Sequence, residues 1–140
     1  MKIYTSTILP ILTYSLAIKF TLSKTQSLKL ISFERRASSI IGKNVKSIQN
    51  TVKKRTLNFV QKCLKGEACV NFHNYFEFIQ HEKCTRNNKH SLKLPKCKLE
   101  FGKKAFYYMG AKLFNDLPLL IRKEIDKVNF RKLVDGELCL

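Results

Sequence analysis

The imbalance of charge constrains this chain more than any other feature. Twenty-seven lysines and arginines stand against ten aspartates and glutamates, a formal net charge of +17 over 140 residues. Self-repulsion of that size opposes a compact state, so a folded form must hold its cations outward over an interior that offsets the repulsion. Material for an interior is present: 44% of the residues are hydrophobic, near the globular average, which excludes wholesale disorder. The length suits one domain, or one compact piece of a larger protein. A polyanionic partner would relieve the repulsion, and nucleic acid is favoured over an anionic membrane surface.

The surplus is uneven. Residues 1–50 carry 8 basic and 1 acidic side chains, residues 51–101 carry 11 and 4, and residues 102–140 carry 8 and 5. The first two thirds are therefore expected to hold most of the electrostatic surface.

Apolar spacing predicts a mainly α fold of five or six helices with one short β-hairpin. Residues 3–20 read as a buried helix, with Thr7 capping a start near Leu9 or with a kink at Pro10. The run from Ile8 to Ile18 behind Lys2 also resembles the apolar part of a signal peptide. It is too short to span a membrane, no clear small-x-small cleavage site follows, and Lys19 and Lys24 come next, so a core helix is expected. A second helix is predicted over Lys24 to Ile41, with Leu30, Phe33, Ala37, Ile40 and Ile41 on one face and Gly42 as its stop. A third covers Ser47 to Leu64 and ends at Gly66. Residues 67–82, rich in Phe72, Tyr75, Phe76 and Phe78, can pack as a helix; their rings are expected in the core, with stacking on bases as the alternative. From Lys83 to Glu100 the pattern becomes a loop and then an extended or hairpin segment through Leu92, Leu94, Pro95, Cys97 and Leu99. Helices return over residues 103–116 and from Asp126 to Leu138. The division expected is 1–42, 43–82 and 83–140.

Little in the chain points to catalysis. Aspartate occurs only at Asp116, Asp126 and Asp135, and no carboxylates cluster as a two-metal polymerase or nuclease site requires. There is no phosphate-binding glycine loop and no G-x-S-x-G turn. The five cysteines, Cys63, Cys69, Cys84, Cys97 and Cys139, are odd in number and irregular in spacing, so reduced thiols in a nuclear or cytoplasmic protein are expected. With His73, His81 and His90 they match a zinc site only weakly: Cys63 and Cys69 are too far apart for a short ligand pair, and only His81 and Cys84 are close. No cofactor is expected, and nothing local supports a Cys–His nucleophile.

The tail contains Thr85-Arg86, Leu94-Pro95, and then FGKKAFYYMGAKLFNDLPLLIRKEIDKVNFRKLVDGEL. It resembles the extreme C-terminal region of reverse transcriptases from jockey-like and CR1-like non-LTR retrotransposons (LINE-type elements). Phe114-Asn115-Asp116-Leu117-Pro118 stands where that family has Trp-Asn-x-Leu-Pro, and Ile121-Arg122 and Phe130-Arg131-Lys132 follow at fitting distances. At the front, Ile8 to Tyr14 is similar to the segment after the polymerase palm, and Ser32 to Gly42 to the helix after it. The likeness covers nearly the whole chain in order. It departs at Phe114, where tryptophan is usual, and in lacking the fingers, the palm and the metal-binding aspartates.

The resemblance implies a thumb-like helix pair over 1–42 and a tail over 83–140 that holds template RNA or target DNA. It implies a truncated or remnant copy without polymerase chemistry of its own, whose magnesium belongs to the absent palm. The partners expected are an RNA or DNA backbone and the rest of a reverse transcriptase, with no membrane. The phosphate-contacting candidates are Lys29, Arg35, Arg36, Lys53, Lys54, Arg55, Arg86, Lys89, Lys93, Lys96 and Lys98, with Arg86 chosen for its place in the Thr-Arg pair. A small basic interaction protein or a zinc-stabilised module is the alternative.

Overall fold

The structure, a computed structural model, describes residues 3–14, 22–42, 47–69, 72, 74–79, 90–124 and 127–139. The protein is mainly α: seven α-helices lie among the described residues, in two compact units, Met1–Lys53 and Lys54–Leu140.

The first unit begins with a π-helical stretch, Tyr4–Ile8, that runs into the single turn α1, Leu9–Leu12. Proline explains the wider turn. Pro10 has no N–H for the Ser6 carbonyl, and its ring crowds that carbonyl. The chain widens instead, and the Leu9 N–H donates to the Tyr4 carbonyl five residues back. Thr7 does not cap α1. Thr13 closes it, donating from Oγ1 to the Leu9 carbonyl at 2.8 Å. One helix over 3–20 is thus not found; its second half, 15–20, lies outside the described residues. Nor is the segment buried all round. Tyr4, Leu9 and Thr13 are buried, whereas Ile3, Ile11 and Tyr14 are exposed, because packing covers only one side.

Helix α2 spans Lys24–Ile41 as its apolar spacing predicts. Ser23 and Gln26 form a reciprocal capping box, the Gln26 N–H donating to Ser23 Oγ and the Ser23 N–H to Gln26 Oε1. Gly42, at φ 66°, ends the helix in the left-handed region. Helix α3 spans Ile48–Leu64, and Gly66, at φ 70°, follows it. Its first free amide, Ile48 N–H, donates to Glu34 Oε1 of α2 at 2.6 Å, so a carboxylate sits at the positive end of the helix. The interior of the first unit is Tyr4, Leu9, Ile48 and Val52, with Ile8, Leu12, Leu30, Ala37 and Ile41 packed against it. Burial, and the charge on Glu34, push the Tyr4 hydroxyl pKa up.

The second unit has the larger interior. Leu57, Val60 and Cys63 of α3 meet Phe76, Leu92, Ala111, Phe114, Leu117, Ile121, Phe130 and Val134. These come from the loops and from three of the four further helices, α5, Phe106–Asn115, α6, Leu119–Lys123, and α7, Lys127–Cys139; the short α4, Glu100–Lys103, buries no side chain. Gly110 lets α5 approach α3, since a Cβ there would lie 3.0 Å from Val60 Cγ2 and 3.1 Å from Phe76 Cζ. Edge-on ring pairs join Phe59 to Phe72 and Phe106, and Phe114 stacks on Phe130 at 6.4 Å.

Two local expectations need correction in this unit. The described residues of 67–82 form no helix. Phe78 instead bridges Leu92 in antiparallel fashion, with Ile79 N–H donating to the Ser91 carbonyl and Lys93 N–H to the Glu77 carbonyl. The hairpin is therefore this single bridge among the described residues, and it buries Leu92 but leaves Leu94 and Leu99 exposed. The helix expected over 103–116 is present as α5 but starts only at Phe106, because Ala105 is extended and separates it from α4. The aromatic rings are divided, with Phe76 in the core and Tyr75 and Phe78 at the surface.

Candidate nucleic-acid interface

Eleven cations were expected to touch phosphate. Arg86, with Thr85, and Lys89 lie outside the described residues. Of the other nine, Lys29, Arg35, Arg36, Lys53, Arg55, Lys93, Lys96 and Lys98 are exposed, and Lys54 is half-buried.

Helical geometry sorts them. Lys29 and Arg36 are two turns apart and share one line along α2, beside the half-covered apolar face. Arg35 shares a second line with Lys24, about a third of a turn away. On α3 the run Lys53-Lys54-Arg55 does not make one face, because successive helical residues diverge by about 100°. Lys54 turns to an ion pair with Asp135 of α7. Arg55 lies in line with Lys62, two turns on. A run of consecutive charges does not reveal Lys62, because a helix groups residues by i+3, i+4 and i+7.

The third cluster, Lys93, Lys96 and Lys98, lies on the segment that leaves the bridge. Its position is fixed by the residues that carried the family resemblance. Asn115 grips the Leu92 backbone on both sides: Leu92 N–H donates to Asn115 Oδ1 at 2.7 Å, and Asn115 Nδ2 donates to the Leu92 carbonyl at 2.9 Å. The side-chain amide thus does the work of a neighbouring strand. Arg122 holds the adjacent residue, donating from Nη1 to Ser91 Oγ at 2.7 Å. Phe114 and Leu117 on either side of the Asn-Asp pair are core residues, and Pro118 opens α6. The Phe-Asn-Asp-Leu-Pro run is thus a fastening that presents the basic segment. Its role was hidden because its partner lies 23 residues upstream.

Among the described residues, three lysines are drawn toward carboxylates: Lys54 to Asp135, Lys103 to Glu100, and Lys93 to Glu77. The Lys93 pair is loose, at 3.9 Å, with the lysine side chain 72% exposed, so it holds the cation only weakly. The Lys103 hydrogen bond keeps the Glu100 carboxyl below its usual range.

The zinc candidates are dispersed. His73, His81 and Cys84 lie outside the described residues, as does the Cys139 side chain. Cys63 is buried, which pushes its thiol pKa up, Cys69 is exposed, and Cys97 is half-buried against Tyr107. No three of His, Cys, Asp and Glu come together as metal ligands among the described residues. No helix among them is long and apolar enough to cross a membrane.

Comparison with protein families, with curated proteins and with solved structures finds no match in any of the three.

Proposed function

We propose that this chain binds RNA or DNA through the phosphate backbone, as the C-terminal, post-palm part of a non-LTR retrotransposon reverse transcriptase, in the nucleus or the cytoplasm. No polymerase chemistry and no cofactor are assigned to these residues; the partners are a nucleic-acid strand and the remainder of such an enzyme.

One observation carries the reading: with a net charge of +17, all but one of the nine described candidates are exposed. Each phosphate neutralised by an exposed lysine or arginine releases counterions, which supplies binding free energy without any base contact. Such contacts position a strand and do not read its sequence. The test is a titration of labelled oligonucleotide at rising salt. If six or more phosphates are engaged, affinity falls on the order of 10³-fold between 50 and 200 mM salt. A flat salt response overturns the proposal.

A helical protein-binding module is the second reading, favoured by one feature of the first unit. Helix α2 buries no side chain, and an apolar cavity of about 490 Å³ opens beside Phe33, Ile40 and Ile3. Competitor nucleic acid separates the readings, since it would leave binding to a protein unaffected.

A further inference from the structure

Beside the basic segment of the second unit lies a cavity of about 170 Å³, lined by Asn74, Tyr75, Glu77, Lys93, Pro95 and Tyr107. Its walls are set by the fold. The Lys93 N–H donates to the Glu77 carbonyl at 2.8 Å, so the two side chains face the same opening from paired backbones. The Tyr75 ring stands edge-on to Phe72 at 5.2 Å, and Phe72 stands edge-on to Phe59, which ties an exposed ring to the interior. Tyr107 rises from the first turn of α5, near Cys97. Tyr75 is nevertheless 51% exposed and Tyr107 37%, a large aromatic area to leave in water beside a cation.

The chemistry of this lining is not that of a phosphate cradle. A carboxylate at Glu77 would repel phosphate, a proline ring offers it no donor, and the two tyrosines could offer it only their hydroxyls and not the faces of their rings. An unpaired base fits each part. Its faces lie against the tyrosines and Pro95, as bases stack on aromatic side chains in single-strand binders. An exocyclic amine donates to Glu77, the pairing by which carboxylates recognise the cytosine amine. Asn74 offers both a donor and an acceptor to the base edge. Lys93, held only loosely by Glu77, is left for the adjoining phosphate. We propose that this cavity takes one unpaired, amine-bearing base, cytosine or adenine, of a single strand whose phosphate is met by Lys93. The inference rests on the nucleic-acid reading above and adds to it a preference for single strands.

The test uses the full chain at one fixed, low salt concentration. Anisotropy titrations are run with labelled single strands of cytosine or of uracil, an abasic strand of equal length, and a duplex. Stacking of the usual strength predicts that the double variant Tyr75→Leu, Tyr107→Leu binds the cytosine strand about tenfold more weakly or worse. Its duplex affinity stays unchanged, which also shows that the variant is folded. The abasic strand binds the wild type about as weakly as the cytosine strand binds the variant. Tyr75→Phe with Tyr107→Phe keeps wild-type affinity. Glu77→Gln narrows the gap between cytosine and uracil. If the leucine variant binds every strand as the wild type does, or if abasic and intact strands bind the wild type alike, the base site is overturned and phosphate binding stands. If the wild type binds no strand even at low salt, both readings fall.

Discussion

The two units are stabilised in different ways. Among the described residues, 54–140 bring eleven buried apolar side chains into one cluster and 1–53 bring four. A fully buried aliphatic or aromatic side chain contributes about 1.5–3 kcal/mol, so the second unit has the larger interior to set against its own charge. The first unit adds to its smaller cluster the local Ser23–Gln26 box and Gly42 stop, and the Glu34 carboxylate of α2 that receives the α3 amide. Interior area resists substitution at the surface and yields to cavities. Local capping does the reverse. Both units carry exposed cations, but only the second fixes its basic segment to a core, through Asn115 and Arg122.

The sharpest way to break this comparison is to open the larger core. Phe130 is 1% exposed and stacks on Phe114. Phe130→Ala should destabilise the second unit by about 3–5 kcal/mol, read as a fall in the urea midpoint. A loss below about 1 kcal/mol would mean that the cluster is not what holds the unit together.

Next in size is the fastening. Asn115→Ala strands the N–H and the carbonyl of Leu92, a residue with no exposed surface, and should cost about 2 kcal/mol. It should also loosen the basic segment, so amide exchange at Leu92 and Lys93 rises more than at α5. Equal acceleration at both places would assign Asn115 to general stability. In the first unit, Ser23→Ala removes the acceptor for the Gln26 amide and should cost about 1 kcal/mol. The loss should appear as faster exchange in the first turns of α2 and leave α5 unchanged.

How far each unit could be read in its sequence follows from the same contrast. The limits of α2, Lys24 and Ile41, are legible from apolar spacing and Gly42 alone, because short-range signals decide them. The S-x-x-Q box at Ser23 is a signal of the same short range. Helix α3 reads well for the same reason. In the second unit the long helices α5 and α7 are legible, but the joints are not. Phe76 to Ile79 is extended because its amides and carbonyls find Ser91 and Lys93, well over ten residues away. The break at Ala105 lies between Gly102, packed on Cys97, and Phe106, packed on Phe59. Neither contact is a property of the local pattern. Among the candidate cations, exposure was legible from composition. Grouping was legible only once helical lines replaced consecutive runs, as Arg55 with Lys62 shows against Lys53-Lys54-Arg55.

The smallest expected effect tests the open face of α2. Ile40 is 86% exposed although it is a large aliphatic residue in a helix. An interior role would make Ile40→Ser costly. With so little area removed from water, the change should stay within about 0.5 kcal/mol in urea unfolding. Serine has slightly poorer helix propensity than isoleucine's other polar replacements, so Ile40→Gln separates propensity from burial. If both variants destabilise the protein by more than about 1.5 kcal/mol, Ile40 is covered in solution. The first unit would then have more interior than its cluster of four apolar side chains provides, and the contrast between the units would have to be redrawn.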